Sequence, residues 1–263
     1  MKSVVAFAFL ASCTASDQTG LVEQPILAGA DSGAVAVAGD FDGDGCTDIS
    51  VKATTGIWYI DMCSNGFGGA WDYAYPGYGG SDSVPVPADY DGDGLTDLAV
   101  KDSTGFWGID YAWNGFGKWD VMSYGYGNAA AIAVPADYDG DGMADMSVKD
   151  ASGMWGIDFA SNGFVGWNDV QYGYGSGDWV PVPAKYDSDA KADRAIKTNA
   201  GDWYIDDSSN GFGGKLCTRC LAGNWDHHYT GYGNASPTFA ELIVCEAPAG
   251  PRGDCRVVGR MAS

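Results

Sequence analysis

Between residues 34 and 233 apolar and polar positions alternate in short runs, and the runs recur in one order four times. Each unit opens on an apolar run such as Val84-Pro85-Val86-Pro87-Ala88 or Val180-Pro181-Val182-Pro183-Ala184, followed by an Asp/Gly-rich segment. A second run follows, as in Leu98-Ala99-Val100-Lys101, then a Ser-Thr-Gly or Ala-Ser-Gly turn. An aromatic run comes third: Ile57-Trp58-Tyr59-Ile60, Phe106-Trp107-Gly108-Ile109, Met154-Trp155-Gly156-Ile157 and Trp203-Tyr204-Ile205. An Asn-Gly pair marks a further tight turn at Asn65-Gly66, Asn114-Gly115, Asn162-Gly163 and Asn210-Gly211, because both residue types tolerate positive φ. The unit closes on Trp71, Trp119, Trp167 or Trp225 and a Gly-Tyr-Gly. Short alternating runs bounded by Gly, Asn and Asp predict four strands per unit.

The Asp-rich segments start 49, 48 and 48 residues apart. That is the period of a four-stranded propeller blade and is too long for ankyrin or leucine-rich units. A lone meander of this size cannot bury both faces, so successive units must stack, and radial stacking leaves few exposed edges. The expectation is an all-β propeller with blades at 34–80, 81–128, 129–176 and 177–233. Residues 13–33 read as a linker or closing strand. Residues 234–263 lack an Asp loop and read as a cysteine-bearing tail or a partial fifth blade. Prolines in the first strand of a unit place that strand at a sheet edge or beside the central channel.

Composition supports short strands and glycine turns over helices: 40 Gly, 15 Tyr and 10 Trp accompany only 14 Lys plus Arg among 263 residues. The formal charge of -21 argues against a nucleic-acid partner, since phosphate binding needs clustered Lys and Arg, and makes cations the expected ligands. Fifteen of the 35 acidic residues fall in the four Asp loops, so the charge is largely a property of those sites.

The first loop runs Asp40-Phe41-Asp42-Gly43-Asp44-Gly45-Cys46-Thr47-Asp48, and near-copies occupy Asp89 to Asp97 and Asp137 to Asp145. In the spacing Asp-x-Asp-x-Asp-Gly-x-x-Asp, alternate residues of a curled loop turn carboxylates inward while glycine permits the sharp bend. Calcium accepts six to eight hard oxygens, and carboxylates crowded together repel one another when no ion is present. The ligands expected are Asp40, Asp42, Asp44, Asp48 and the carbonyl of Cys46; Asp89, Asp91, Asp93, Asp97 and the carbonyl of Leu95; Asp137, Asp139, Asp141, Asp145 and the carbonyl of Met143. About three calcium ions result, integral to folding. An EF-hand is rejected because Val51, Val100 and Val148 stand where that loop requires Glu, and the flanks read as strands. In the fourth loop Lys185 replaces the first carboxylate, Ala190 a glycine, and Lys191 stands seventh. That loop is expected to bind no ion and to hold its lysines against Asp187, Asp189 or Asp193.

Asp-Tyr-Asp-Gly-Asp-Gly-x-x-Asp before an apolar strand resembles the FG-GAP or VCBS repeats of integrin-like propellers, over residues 34 to 233. The resemblance implies calcium in the hairpin between the first two strands of a blade, and an extracellular role in adhesion or in carbohydrate or protein binding. That family often closes with seven blades, more than the units present here.

The remaining features each admit a structural and a functional reading. Lys52, Lys101, Lys149 and Lys197 on the second strand, with Asp61, Asp110, Asp158 and Asp206 on the third, read as cross-strand charge pairs, or as the lining of a groove. Tyr78, Tyr126, Tyr174 and Tyr232 in their Gly-Tyr-Gly settings are candidate glycan-stacking residues, against a blade-core role. Cys46 and Cys63 lie almost symmetrically about a turn and should face each other as a disulfide. Cys217 and Cys220, with His227 and His228 nearby, allow a zinc site, or disulfides with Cys245 and Cys255. Arg252-Gly253-Asp254 reads as a chance tripeptide or an adhesion motif. At the N-terminus, Lys2, an apolar stretch and Leu10-Ala11-Ser12-Cys13 read as an export signal over 1–12, either lipoprotein-type with Cys13 lipidated or an ordinary cleaved one. The chain is therefore expected to be secreted or an outer-surface lipoprotein, touching membrane only through that anchor. No nucleophile elbow, phosphate loop or zinc-protease motif occurs, so a binding protein is expected, with a propeller hydrolase or lyase, or a structural envelope module, as the alternatives.

Overall fold

A computed structural model describes residues 31–177, 179–212 and 225–232, and the backbone of 240–245 and 255–261. The chain divides into two units, Met1–Asp31 and Ser32–Ser263, and every element below belongs to the second. The export signal with Cys13, Cys217, Cys220 and the Arg-Gly-Asp tripeptide lie outside the described residues.

The fold is all-β, a four-blade β-propeller. The first blade comprises β1 (Val35–Gly39), β2 (Asp48–Lys52), β3 (Trp58–Asp61) and β4 (Tyr73–Tyr75). The second has β5 (Val84–Pro85), β6 (Leu98–Lys101), β7 (Trp107–Asp110) and β8 (Val121–Ser123). The third has β9 (Ile132–Ala133), β10 (Met146–Lys149), β11 (Trp155–Asp158) and β12 (Asp169–Gln171). The fourth has β13 (Val180–Pro181), β14 (Arg194–Lys197), β15 (Trp203–Asp206) and β16 (His227–Tyr229). Every blade is an antiparallel meander in chain order. Two further strands, β17 (Ala240–Cys245) and β18 (Cys255–Met261), add to β16 and make the fourth sheet six-stranded. The tail therefore extends an existing blade and starts no fifth one, because the outer edge of β16 still offers backbone groups that a hairpin can satisfy. Its register sets Cys245 opposite Cys255.

The prolines explain the shortness of β5 and β13. Each of these strands is the edge of its sheet, where a missing N–H costs no ladder bond. Pairing resumes beyond the second proline as the isolated bridges Ala88 to Asp97 and Ala184 to Asp193. The Asn-Gly pairs close 3₁₀ turns after the third strand, with Gly66 and Gly163 in the left-handed region. These turns are held by a residue just after the closing Trp: Asp72 accepts from Met62 N at 2.7 Å and from Asn65 Nδ2 at 2.7 Å. Asp120, Asn168 and Asp226 repeat that arrangement.

Three apolar cores lie between successive blades. The first joins Phe41, Trp58, Ile60 and Tyr78 of one blade to Leu98 and Val100 of the next. The second joins Tyr90, Trp107, Ile109 and Tyr126 to Met146, Val148 and Phe164, and the third joins Tyr138, Trp155, Ile157 and Tyr174 to Ile196 and Trp225. The three indoles Trp58, Trp107 and Trp155 are fully buried. A polar contact crosses each core. Tyr78 Oη donates to Asp110, Tyr126 Oη to Asp158 and Tyr174 Oη to Asp206, each to the following blade. Asp110 and Asp158 also accept from backbone N–H groups of Gly117 and Gly166, at 2.8 and 3.0 Å.

Two expectations fail here. Tyr78, Tyr126 and Tyr174 show no ring face to solvent: they are 2%, 3% and 0% exposed, because each phenol is needed by the neighbouring blade's carboxylate. Tyr232 alone of that set is exposed. The repeated Lys and Asp are likewise not cross-strand pairs. The register sets Lys101 opposite Trp107 and Asp110 opposite Leu98, at the two ends of the hairpin. The lysines instead reach backbone carbonyls, Lys52 that of Gly80 at 2.9 Å and Lys101 that of Asn128 at 3.2 Å.

Removing one phenol oxygen should leave a buried carboxylate short of a donor, at a cost of about 1–3 kcal/mol. Tyr126→Phe is expected to lower the free energy of unfolding by that amount in a denaturant titration. Tyr124→Phe, at a position 74% exposed, should leave it unchanged. Equal stability of the two variants would show that the inter-blade bond contributes nothing.

Candidate metal centres

Each Asp loop connects the first and second strands of its blade, and its shape is written by its own side chains. Asp40 accepts from Gly43 N at 2.7 Å through one oxygen and from Gly45 N at 2.9 Å through the other. Asp42 accepts from Asp44 N at 3.2 Å, and Asp44 from Cys46 N at 2.7 Å. The second and third loops repeat all four bonds. Gly43 is needed twice over: its φ is 74°, and a Cβ there would meet Leu95 Cδ2 at 2.3 Å. Leu95 packs from the following loop, so consecutive loops touch. The matching residue of the first loop is Cys46, which forms a disulfide with Cys63 across a Cα separation of 6.0 Å. A 17-residue separation of this kind constrains the unfolded chain by about 3 kcal/mol.

The last aspartate of each loop is buried and tied at both oxygens. Asp97 accepts from Tyr90 N at 2.7 Å and Ala112 N at 2.9 Å, fixing the loop to the 3₁₀ turn after the third strand. Asp48, Asp145 and Asp193 do the same in their blades.

In three loops this geometry gathers carboxylates: Asp40, Asp42 and Asp48; Asp89, Asp91 and Asp97; Asp137, Asp139 and Asp145, each trio with ligand oxygens within 4.8 Å of one another. Two oxygens on opposite sides of a calcium ion stand about 4.6–5.2 Å apart, so one ion of that size reaches all three. Asp44, Asp93 and Asp141 are outside these trios and turn instead onto the N–H groups of Cys46, Leu95 and Met143. These bonds use the amides of the three residues and leave the carbonyls, expected as ligands, untouched.

Burial dominates the electrostatics. It pushes Asp97 and Asp145 up to about 7, against the lowering effect of two backbone N–H donors each, with the neighbouring loop carboxylates adding to the rise. Asp91 and Asp141 are raised for the same first reason.

The fourth loop gathers no such trio among the described residues. Asp187 and Asp189 still bind the loop amides of Asp189 and Lys191 at 2.8 Å each. Lys185 and Lys191 form no ion pair, unlike Arg194 with Asp169 and His227 with Asp207. The expected internal salt bridge is thus absent. The Lys191 stem lies instead beside Gly140 of the preceding loop.

A zinc site at His227 and His228 finds no support in the geometry. The two are consecutive in a strand and face opposite sides of the sheet. His227 is held by Asp207 at 2.8 Å, while His228 stacks on Tyr204 with ring centroids 4.3 Å apart. The most exposed aromatic rings among the described residues are ones the repeat pattern did not single out: Trp113, Tyr124 and Tyr172, at 66%, 74% and 67% exposure. Among the described residues no helix is long and apolar enough to cross a membrane.

No profile of a known protein family matches the chain, and no curated protein does. Among solved structures the chain is similar to BBS1N in complex with ARL6DN, soaked with lead, at 10% identity, covering 85% of this chain and 67% of that one, with a TM-score of 0.48. The same complex soaked with mercury gives 12% identity, coverage of 80% and 62%, and a TM-score of 0.45. A lectin of Agrocybe aegerita that recognises non-reducing terminal N-acetylglucosamine gives 14% identity, coverage of 85% and 79%, and a TM-score of 0.41.

The raised carboxylates set a pH dependence. With folded values near 7 and an ordinary value of 3.8, Asp97 and Asp145 bind more protons folded than unfolded between those limits. Stability of the metal-free chain therefore falls as pH rises through that window. In chelator the melting temperature should be higher at pH 5.5 than at pH 8, and added calcium should shrink or reverse the difference. A metal-free chain that melts higher at pH 8 would contradict this electrostatic account.

Proposed function

We propose that this chain is an exported calcium-binding β-propeller of the FG-GAP or VCBS type, acting as a binding module for a glycan or a surface protein. The observation that carries the reading is the recurrence of a converged carboxylate trio at the same place in three successive blades. A solvated Asp-Gly turn would not need its carboxylates brought together against their mutual repulsion, and a divalent ion gives that arrangement its reason. Oxygen-only ligands and a flexible loop suit calcium over magnesium, which demands a tight octahedron and keeps its waters. In the fourth loop Lys185 stands where an anion would have to be, which limits the count to three ions. Exposed Trp113, Tyr124 and Tyr172 supply the amphipathic ring faces on which sugars stack.

Calorimetric titration of the chelator-treated chain should return three calcium ions, with dissociation constants on the order of 0.1–1 mM as for extracellular modules. Asp91→Asn should remove one ion and leave two. Absence of heat at millimolar calcium, with an unchanged melting curve, would sink the metal reading. On a glycan array the wild-type chain should give discrete signals that Tyr124→Ala with Tyr172→Ala weakens at least tenfold without altering the melting temperature. Persistence of those signals in the double variant would move the binding site elsewhere.

A further inference from the structure

Each interface between blades has two halves, and among the described residues one copy of each half is unused. A trailing face offers the loop aromatic, the third-strand Trp and Ile and the closing Tyr, as Tyr90, Trp107, Ile109 and Tyr126 do in the second blade, where all four are buried. In the fourth blade the same places hold Tyr186, Trp203, Ile205 and Tyr232. Tyr186 and Tyr232 are 40% and 47% exposed, and the four line a cavity of about 550 Å³ with His227 and Tyr229.

The leading half is unused at the other end of the array. Ile49 of the first blade is 49% exposed, whereas Leu98 and Met146 at its place in the next two blades are fully buried under the blade before them. The polar contacts are missing in step. Tyr78, Tyr126 and Tyr174 each find a carboxylate one blade on, while Tyr232 donates to none and Asp61 receives no tyrosine among the described residues. Backbone bonds from Thr96, Ala144 and Ala192 N–H to Asp40, Asp89 and Asp137 C=O cross the three formed interfaces, at 2.7, 2.7 and 2.6 Å. The corresponding pair, Thr47 N–H and Lys185 C=O, is unmade.

Terminal repeats that face solvent carry a polar outer surface. Neither end does so here. The fourth blade has diverged in its metal loop and at its outer edge, yet its trailing face keeps the aromatic and apolar identities of an internal interface.

We propose that a second copy of this chain docks head to tail, the first blade of one covering the fourth blade of the other, with Tyr232 donating to the partner's Asp61. Two such contacts, related by a two-fold axis, use every exposed face and close the array. Eight blades lie inside the range that propellers adopt, whereas three copies would exceed it.

Light scattering on the full chain should give about twice its 27.5 kDa. Ile49→Arg spoils only the leading face and Tyr186→Arg only the trailing face, so each alone should run at the mass of one chain. An equal mixture of the two should recover a dimer, since each variant keeps the face the other lacks. Where either arginine variant fails to fold by circular dichroism, Tyr232→Phe replaces it and should weaken self-association roughly tenfold. A monomeric wild type would overturn the proposal, as would a dimer insensitive to these substitutions. A folded arginine variant that stays dimeric while the other becomes monomeric would also overturn it, since that points to a contact of like faces.

Discussion

The buried hydrogen bond from a closing tyrosine to a carboxylate of the next blade is the contact on which the array depends. A four-stranded meander presents two faces and can bury neither alone, so each blade is stable only through its neighbours. Apolar packing supplies the driving force but little register, since Trp, Ile and Val would tolerate a sliding contact. The phenol and carboxylate do not. In a dry interface an unpaired Asp110, Asp158 or Asp206 would incur a large desolvation penalty, and a partner exists at one relative placement of the blades. The bond therefore selects the alignment in which Leu98, Met146 and their equivalents fall onto the preceding Trp and Ile.

The Asp loops obey a different logic, in which architecture and metal chemistry separate. Asp48, Asp97, Asp145 and Asp193 join loop to 3₁₀ turn through both oxygens in all four blades, including the one with no carboxylate trio. That residue serves the backbone first. The two earlier aspartates are what the trio adds; in the fourth loop Lys185 takes the place of the first, while Asp187 and Asp189 still hold the loop amides and the turn stays intact. A loop can accordingly change its first carboxylate to Lys185 without unfolding its blade.

Much of this was legible in the chain and some was not, for identifiable reasons. Period-two runs and the spacing of the Asp segments report local structure, so four blades with four strands each, and loops between first and second strands, could be read directly. Tyr126 and Asp158 were both visible as repeated columns. Their pairing was not, because it joins residues 32 apart in different blades, and no local pattern encodes which blade a side chain will meet. The same limit misread Lys101 and Asp110: both lie on one hairpin, but the register that sets Lys101 against Trp107 depends on where the turn closes. The spacing put Asp93 in the loop with its neighbours but could not show that it lies apart from the trio, where it accepts from the Leu95 amide.

The interface between the third and fourth blades shows how far the scheme can be varied while the alignment holds. Where Leu98 and Met146 fill the core elsewhere, Arg194 is fully buried. Its guanidinium pairs with Asp169 at 2.6 Å, donates to Tyr174 Oη at 3.1 Å and lies over the Phe212 ring at 4.1 Å. A buried ion pair seldom adds net stability over an apolar side chain of similar volume, so packing energy does not account for it. Its geometry gives another reason: the guanidinium holds the same Tyr174 whose hydroxyl bonds Asp206, and so acts on the contact that sets blade alignment. A leucine would restore apolar area and leave that tyrosine with one partner fewer. The fourth blade has thus exchanged part of its hydrophobic contact for directional contacts on the inter-blade tyrosine, which keeps it in register after its loop has given up the carboxylate trio.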